Sequence, residues 1–364
     1  MGADLASRAW LEGGAAALVA CAVSAMLTWL AIHYAHRRAL IDHPGQRRSH
    51  TMPTPRGGGI GLVVASVAAT LLLRLVGSPV AMPLALAAGL LAAVALVAAV
   101  GWIDDHRGLA ARWRFAAHGI AAAIVLGAGH TGPLLHVAAA AWLAVATAAV
   151  LWLAIAWSIN LHNFMDGING LLATQAIFVF VALAGLFHQA GTVPGAVAAC
   201  AVFAAATVGF LPFNFPHARI FMGDVGSGVL GLLVALVVLW QLAVPGIAPA
   251  SGLVLCSAFV TDASCTLLSR MLRGRRWYSA HREHLYQWLV RCGFTHAQVV
   301  ALYMGWNLLL ALPVVYWMNR MPEMDSSLGI GAAIATYALA GALWWLGKRA
   351  CLRAVRGRGL HATA

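Results

Sequence analysis

Two aspartates, Asp104 and Asp105, stand side by side directly after an apolar run that begins near Leu84. We interpret this run below as a membrane helix that enters from outside. Both carboxylates then lie at the negative end of the helix dipole. This position is unfavourable by roughly 0.3–1 kcal/mol per charge. Mutual repulsion should also raise the pKa of one of them. Arg112 and Arg114 follow the pair, and we predict that they bind a phosphate-bearing substrate. A structural cluster of these arginines with the two acids is the alternative, but acids at a membrane edge more often serve function.

The stretch "SINLHNFMDGING" (158–170) places a second acid, Asp166, among amides, one of which is Asn163. It contains no Lys or Arg, unlike the other predicted cytoplasmic segments. The Asp-Gly pair is typical of a turn followed by a helix cap. A carboxylate among amides without a basic partner also suits a metal ion or a ribose, and the density of these residues favours that interpretation.

The stretch "FNFPHARIFMGDVGSG" (213–228) combines an acid, an aromatic ring and exposed backbone. Asp224 precedes an apolar run, where it could be an ordinary helix cap. The glycines around it and the ring of Phe221 favour a second function, a metal-bound diphosphate with a stacked base.

Two further segments carry basic residues that suit phosphate. "IDHPGQRRSHTMPTPRGGGIG" (41–61) places Arg56 beside glycines at a helix start, where backbone amides can receive an anion. In "SRMLRGRRWYSAHREHLYQWL" (269–289), His281 and His284 are three apart and would share one face of a helix. Zinc needs further soft ligands, and none is near in sequence. We therefore predict that these histidines and Arg282 bind phosphate.

The composition indicates that these segments connect membrane helices. Of the 364 residues, 62% are hydrophobic and 9% are charged, against about 25% charged in soluble domains. No linker or repeat divides the chain, so we predict one polytopic domain over 1–364. The six cysteines show no C-x-x-C spacing, which disfavours a disulfide framework or a zinc site. The net charge of +12 is divided among short segments, which argues against a nucleic-acid partner and favours anionic membrane lipid.

The predicted fold is an all-α integral membrane bundle of about eleven helices, with the N-terminus outside and the C-terminus inside. Of the 23 Lys and Arg residues, all but three then lie on the inside. The predicted spans are 14–33, 58–76, 83–103, 115–130, 138–158, 170–188, 193–212, 225–243, 248–269, 297–318 and 328–347. The cytoplasmic segments that together form the predicted active site are 34–57, 104–114, 159–169, 213–224 and 270–296.

With these motifs in order, the chain resembles the polyprenyl-phosphate N-acetylhexosamine-1-phosphate transferases over about residues 14 to 347. The first segment resembles that of the O-antigen and N-acetylglucosamine initiating branch. The acid pair and the histidine pair also match the family pattern. The remaining matches are Asn163, Asp166, Gly167 and Gly170 in one signature, and Asn214, Phe221, Gly223, Asp224 and Ser227 in another. Many members have an aspartate where this chain has Asn169, so an essential charge there does not carry over.

The resemblance implies an enzyme of the bacterial inner membrane whose active site faces the cytoplasm. It would transfer a sugar-1-phosphate from a UDP-N-acetylhexosamine to undecaprenyl phosphate and release UMP. It implies that Asp224 binds Mg²⁺, which Mn²⁺ can replace, that Phe221 stacks on uracil, and that Asn214 contacts the nucleoside. The acid pair and Asp166 are the predicted catalytic residues, and Asp105 is our choice for the base.

Two alternatives and two open points accompany this prediction. The muramoyl-pentapeptide transferases of peptidoglycan synthesis are the nearest alternative, although their first segment usually differs and their histidines are adjacent. A transporter for a lipid-linked anion is the rival of another class, but transporters gather charges near the bilayer midplane. The identity of the hexosamine and a homodimeric state stay open.

Overall fold

The computed structural model of this chain is a helical bundle. It describes residues 2–38, 40–42, 53–130, 141–191, 193–275, 281–320 and 326–361. The helices are α1 (Gly2–Arg37), α2 (Gly59–Leu75), α3 (Leu84–Arg107), α4 (Ala111–Val125), α5 (Ala141–Met165), α6 (Leu171–Ala190), α7 (Pro194–Asn214), α8 (Gly223–Leu242), α9 (Ser251–Leu255), α10 (Ser257–Leu272), α11 (Leu285–Arg291), α12 (His296–Trp306), α13 (Leu312–Arg320) and α14 (Ser326–His361). One π-helical turn, Leu126–His130, follows α4, and another, Asn307–Ala311, joins α12 to α13.

In the described part of the chain, eight helices are long and apolar enough to cross a membrane. They are α1, α3, α5, α6, α7, α8, the continuous pair α12–α13, and α14. The other three predicted spans coincide with shorter helices. Span 58–76 is the 17-residue α2, span 115–130 is the 15-residue α4 with its π turn, and span 248–269 is divided between α9 and α10. The all-α membrane architecture is therefore supported, while the count of eleven and the orientation stay predictions.

Helix α8 forms the centre of the bundle. It packs against α2, α3, α5, α6 and α7, and nearly all of its side chains are buried. An apolar surface all round is typical of such a central helix. Because Asp224 lies in the first turn of α8, the core of the bundle ends at this carboxylate.

Glycines let α2 and α3 approach α8 closely at the same end. A Cβ atom on Gly59 would lie 2.4 Å from the Cα of Gly226, and one on Gly101 would lie 2.6 Å from the carbonyl carbon of Asp224. Small residues allow this backbone contact between membrane helices. The three helices are therefore held together where α3 ends and where α2 and α8 begin.

A small sheet lies within the segment between α1 and α2, and a bridge joins this segment to the one before α8. Strands β1 (Ile41–Asp42) and β2 (Thr54–Pro55) pair antiparallel. Immediately after β2, Arg56 forms a parallel bridge with Phe221. The backbone N–H of Phe221 donates to the carbonyl of Pro55 at 2.8 Å. These bonds fix the segment before α2 against the segment before α8.

Candidate active site

Asp105 connects the end of α3 to the start of α8. Its carboxylate accepts the backbone N–H of Asp224 at 3.1 and 2.9 Å. Arg56 contacts both acids, with Nε 2.8 Å from Asp105 Oδ1 and Nη2 2.8 Å from Asp224 Oδ1. Asp105 thus meets the positive dipole end of α8 and a guanidinium group. These two interactions offset the unfavourable position of this buried acid at the end of its own helix.

Asp104 points to a different partner. Its Oδ2 lies 2.6 Å from Nη1 of Arg114, and the same nitrogen lies 3.5 Å from Oδ2 of Asp224. The other oxygen of Asp104 accepts the backbone N–H of Leu109, just beyond the end of α3. Neighbouring helical residues point roughly 100° apart. The two acids of the pair therefore have separate surroundings, and Asp224 lies between their two arginines.

Asp166 is the fourth acid of this group and follows the end of α5. The backbone N–H of Gly223 donates to its carboxylate. Burial, together with the carboxylates of Asp224 and Asp105, raises the pKa of Asp166 to about 7, although Arg56 acts in the opposite direction. The negative charge of the group therefore exceeds what its arginines neutralise.

We call this group the acid cluster; it contains Asp104, Asp105, Asp166 and Asp224 with Arg56 and Arg114. Four carboxylates face two guanidinium groups, an arrangement that can attract a further cation. Among the described residues, no three acidic, histidine or cysteine side chains converge as a ready-made metal site. The arginines occupy the carboxylate oxygens that a cation would use.

Asn214 and Phe221 lie beside the acid cluster. The side-chain oxygen of Asn214 accepts the N–H of Gly170 at 2.7 Å, and its amide nitrogen donates to the carbonyl of Ile220 at 3.0 Å. This buried amide is thus engaged by backbone at both ends and ties α6 to the segment before α8. The backbone of Phe221 is fixed by the bridge to Arg56, and its ring is half-buried. Their predicted contacts with the nucleoside and the base stay predictions.

The cytoplasmic segment 159–169 closes its own turn through backbone and contacts a neighbouring turn through one side-chain amide. The backbone carbonyl of Asn163 accepts the backbone N–H of Asp166 at 3.3 Å. The side chain of Asn169 donates to the carbonyl of Pro216 at 3.1 Å. An ionised aspartate has no hydrogen to donate to this carbonyl, so the amide at position 169 suits the local structure.

The histidine pair packs on the cytoplasmic segment 159–169, but the pair does not lie on a helix. Residues 281–283 are irregular, and α11 begins only after His284, which has extended backbone. The two rings still lie side by side, with centroids 5.0 Å apart, and both face Phe164 at 6.4 and 6.2 Å. The shared helical face is therefore wrong, whereas the proximity of the two rings holds.

His281 carries less positive charge at neutral pH than an ionised ligand of phosphate would. Burial, with the neighbouring His284, lowers the pKa of His281 to about 4. Among the described residues, the buried Nδ1 of His281 has no hydrogen-bond partner, and the Nδ1 of His284 lies 3.8 Å from Oδ1 of Asp262. Burial and the charge of Arg291 also lower the pKa of Arg282. A neutral imidazole can donate one hydrogen bond to an anion, so the predicted phosphate contact stays open in this form.

Tyr286 packs α11 against the cytoplasmic segment 159–169, and no sequence motif indicated this residue. Its hydroxyl donates to the carbonyl of Phe164 at 2.9 Å. A Cβ atom on Gly167 would lie 2.1 Å from that hydroxyl oxygen. The glycine of the Asp-Gly pair is therefore required by contact with a residue more than a hundred positions later. No local sequence signal reports such a contact.

Asp262, within α10, anchors the start of α11. The side chain is buried and accepts the backbone N–H groups of Leu285 at 2.8 Å and Tyr286 at 3.3 Å. The hydroxyl of Tyr303 donates to it at 2.7 Å, and the indole of Trp344 donates at 3.0 Å. This acid is satisfied by hydrogen bonds and positions the segment that carries the histidines.

Arg112 is not brought to the acid cluster. The side chain is exposed, and its guanidinium carbon lies 5.6 Å from the centre of the Trp113 ring. Arg114, two residues later, reaches Asp104 and Asp224 instead. The two arginines that the sequence groups together therefore have different surroundings.

Comparison with known proteins gives consistent matches. A model of glycosyl transferase family 4 matches residues 87–241, the stretch that holds all four acids of the cluster. The decaprenyl-phosphate N-acetylglucosaminephosphotransferase of Mycobacterium leprae is 30% identical over 88% of this chain and 87% of its own length. The phospho-N-acetylmuramoyl-pentapeptide-transferase of Geobacillus kaustophilus is 30% identical over 73% of this chain and 85% of its own length. The undecaprenyl-phosphate alpha-N-acetylglucosaminyl 1-phosphate transferase of Yersinia pestis is 29% identical over 72% of this chain and 73% of its own length.

Proposed function

Because this chain belongs to the polyprenyl-phosphate N-acetylhexosamine-1-phosphate transferases of glycosyl transferase family 4, we propose that it uses a UDP-N-acetylhexosamine as donor and undecaprenyl phosphate as acceptor. The products are UMP and a lipid diphosphate that carries the sugar. The chain is a multi-pass membrane protein. We place it in the bacterial inner membrane, with the acid cluster facing the cytoplasm, where donor and lipid headgroup can meet.

The observation that carries this proposal is the acid cluster. Its residues come from four separate segments and meet where α3 ends and α8 begins. Both reactants are anionic, so the reaction needs cations and oriented hydrogen-bond donors at one place. Arg56 and Arg114 lie on either side of Asp224 and can screen the two phosphate groups as they approach each other.

The donor set of the acid cluster fits Mg²⁺. Carboxylate oxygens are the hard ligands that this ion prefers, and the carboxylates outnumber the guanidinium groups. Asp224 would hold the ion, as the family resemblance implies, and Arg56 and Arg114 would then release its two oxygens. When bound, Mg²⁺ or Mn²⁺ supplies positive charge that polarises the diphosphate.

The acceptor phosphate oxygen attacks the β-phosphorus of the donor. A new P–O bond forms, the bond to the bridging oxygen of the diphosphate breaks, and UMP leaves with that oxygen. The carboxylate of Asp104 or Asp105 takes the last proton of the acceptor phosphate as a general base. Since the second pKa of a phosphate monoester is about 6, much of the acceptor is already dianionic at neutral pH. The larger contribution of the pair is then electrostatic.

The pathway is proposed from the same likeness. The donor is a simple UDP-N-acetylhexosamine, and the lipid product starts the O-antigen of lipopolysaccharide or a related glycan of the cell envelope. Muramoyl-pentapeptide transfer is the second candidate, because the Geobacillus kaustophilus relative has that name and similar identity. Arg48 and His50, which support the first assignment by sequence, lie outside the described residues.

The test is UMP release by the purified protein with undecaprenyl phosphate and a panel of UDP-sugars. We expect turnover with a UDP-N-acetylhexosamine, loss of turnover with EDTA, and restoration by MgCl₂. Asp224→Asn should abolish turnover, and Glu12→Gln, which changes an acid bonded to Arg8 at the other end of α1, should leave it unchanged. Transfer only from UDP-MurNAc-pentapeptide would support the second candidate. Absence of any UMP would refute both.

A further inference from the structure

The second half of α14 packs against the helices that hold Asp262 and begin after the histidine pair. Helix α14 contacts α9, α10 and α11. Ala340, Lys348 and Cys351 are buried, and Trp344 is half-buried. These four residues are three or four positions apart, and such spacing places them on one face of a helix. This face lies outside residues 87–241, the stretch that the family model matches.

Two contacts along this face of α14 reach the parts of the bundle that position the histidines. The indole N–H of Trp344 donates to Oδ1 of Asp262 at 3.0 Å. A Cβ atom on Gly347 would lie 3.2 Å from Cδ1 of Leu285, the first residue of α11. Helix α14 therefore touches both the acid that anchors α11 and the start of α11 itself.

The ring of Trp344 is fixed on its face as well as at its N–H group. The Nζ atom of Lys348 lies 4.6 Å from the centre of this ring, and a cation over an aromatic face is attracted to it. Among the residues that the structure describes, this buried Nζ has no hydrogen-bond partner. The carboxylates of Asp262 and Glu283 attract the same ammonium group. The indole thus has little freedom to turn away from Asp262.

The oxygen of Asp262 that Trp344 contacts is also the one nearest the histidine pair. Oδ1 accepts the backbone N–H of Leu285 at 2.8 Å and lies 3.8 Å from Nδ1 of His284. The hydroxyl of Tyr303 donates to the other oxygen at 2.7 Å. A change in the position of Oδ1 therefore displaces the start of α11 and the surroundings of His284 together.

We infer that Trp344 is a positioning residue of the transfer reaction, which acts through Asp262 on His284. Tyr303 has the same role at the second oxygen of this carboxylate. The inference rests on the proposed function and on the predicted contact between the histidine pair and a phosphate group of the substrates. It makes the C-terminal helix part of the active-site framework, although α14 contributes no residue to the acid cluster.

The test removes single hydrogen bonds to Asp262 and measures UMP release. Trp344→Phe deletes the N–H group and keeps an aromatic ring beside Lys348. We expect kcat/KM to fall between about tenfold and a hundredfold, because a small displacement of a group that contacts substrate has such an effect. Trp345→Phe is the matched control. This neighbouring ring is exposed and stacks with Arg349, so its replacement should leave kcat/KM unchanged.

A double-mutant cycle with His284→Gln separates positioning from general damage. The loss caused by Trp344→Phe should disappear in the His284→Gln protein, because the imidazole on which the indole acts is then absent. Tyr303→Phe should behave in the same way, and it replaces Trp344→Phe should that variant not purify as a monodisperse protein. Losses that multiply in the combined variants would refute the positioning role.

Amide hydrogen exchange gives a measurement that does not depend on activity. Peptides that contain Leu285 and Tyr286 should exchange faster in Trp344→Phe than in the wild type or in Trp345→Phe, and this result decides the question should His284→Gln release no measurable UMP. Unchanged exchange in both Trp344→Phe and Tyr303→Phe would overturn the inference. Faster exchange in a protein whose wild type releases no UMP would leave the hold of α14 on α11 in place and refute the proposed function.

Discussion

Neutralising one acid of the cluster should stabilise the metal-free protein. Asp166→Asn keeps the size of the side chain and removes its charge. In the native structure, burial and the nearby carboxylates raise the pKa of Asp166 from 3.8 to about 7. The folded protein therefore holds a proton at this site that the unfolded chain loses in mild acid.

The sign of the pH dependence follows from this difference. Since the folded state binds the proton more tightly, the free energy of unfolding falls as the pH rises from about 4 to about 7 and is level above that range. A shift of about 3 pH units at ~1.36 kcal/mol per unit sets an upper limit of ~4 kcal/mol. The side chain is partly exposed, and solvent screening reduces the expected effect to ~2 kcal/mol. For a chain of this size that is roughly 2–4 °C in Tm.

The assay is thermal unfolding in detergent with EDTA, followed by tryptophan fluorescence. The Tm of Asp166→Asn should exceed that of the wild type by an amount that grows with pH and levels off above about pH 7. Glu283→Gln is the control of opposite sign, because Arg270 and Arg275 hold the pKa of Glu283 below its usual value against the effect of burial. That variant should be less stable than the wild type by an amount that is constant well above the usual glutamate pKa of about 4.3 and that shrinks as the pH falls below it.

Addition of MgCl₂ gives an independent check at mildly alkaline pH. The ion should raise the Tm of the wild type more than that of Asp166→Asn, because it supplies the charge that the proton no longer provides. A Tm difference that does not vary with pH would refute the excess of negative charge in the acid cluster. Equal stabilisation of both proteins by Mg²⁺ would show that Asp166 does not contribute to metal binding.

Two further results are expected. Arg114→Ala should lower kcat/KM by about a hundredfold, because it leaves Asp104 and Asp224 without a shared partner. Arg112→Ala should have a much smaller effect. Equal losses in UMP release would show that both arginines act on substrate. Gly59→Ala should lower both Tm and activity, because the Cβ of the new alanine would lie 2.4 Å from the backbone of α8. A variant as stable and active as the wild type would disprove this close packing.

Residue types predicted which acids lie close together better than they predicted the contacts among them. The acid pair, Asp166, Asp224 and Arg56 all converge, because each stands at the end of an apolar run where charge is unusual. The cap that Asp105 provides to α8 was not predictable, since it joins positions 119 residues apart. The local hydrophobic pattern of a sequence predicts a helix and its buried face. A contact between distant positions depends instead on how the helices pack.

The same limit applies to the histidine segment and to span lengths. Spacing placed the two histidines near each other, but whether a helix forms there depends on Asp262, which holds the N–H groups that begin α11. Hydropathy located the apolar stretches of 58–76 and 248–269. It could not show that α2 has 17 residues or that the second stretch is divided at Cys256, because apolar composition does not determine where a helix is interrupted.

The connection between Arg56, Asp105 and Asp224 also sets an order of assembly. Arg56 and Asp105 belong to the first three helices to be synthesised, but Asp224 follows Arg56 by 168 residues. As a chain enters the membrane from its N-terminus, the early pair waits through four intervening helices before α8 arrives. Until then Asp105 has no helix to cap, and Arg56 has one acid instead of two. A nascent chain truncated before α8 therefore carries five of the six charged residues of the acid cluster but lacks Asp224, the acid that both arginines contact.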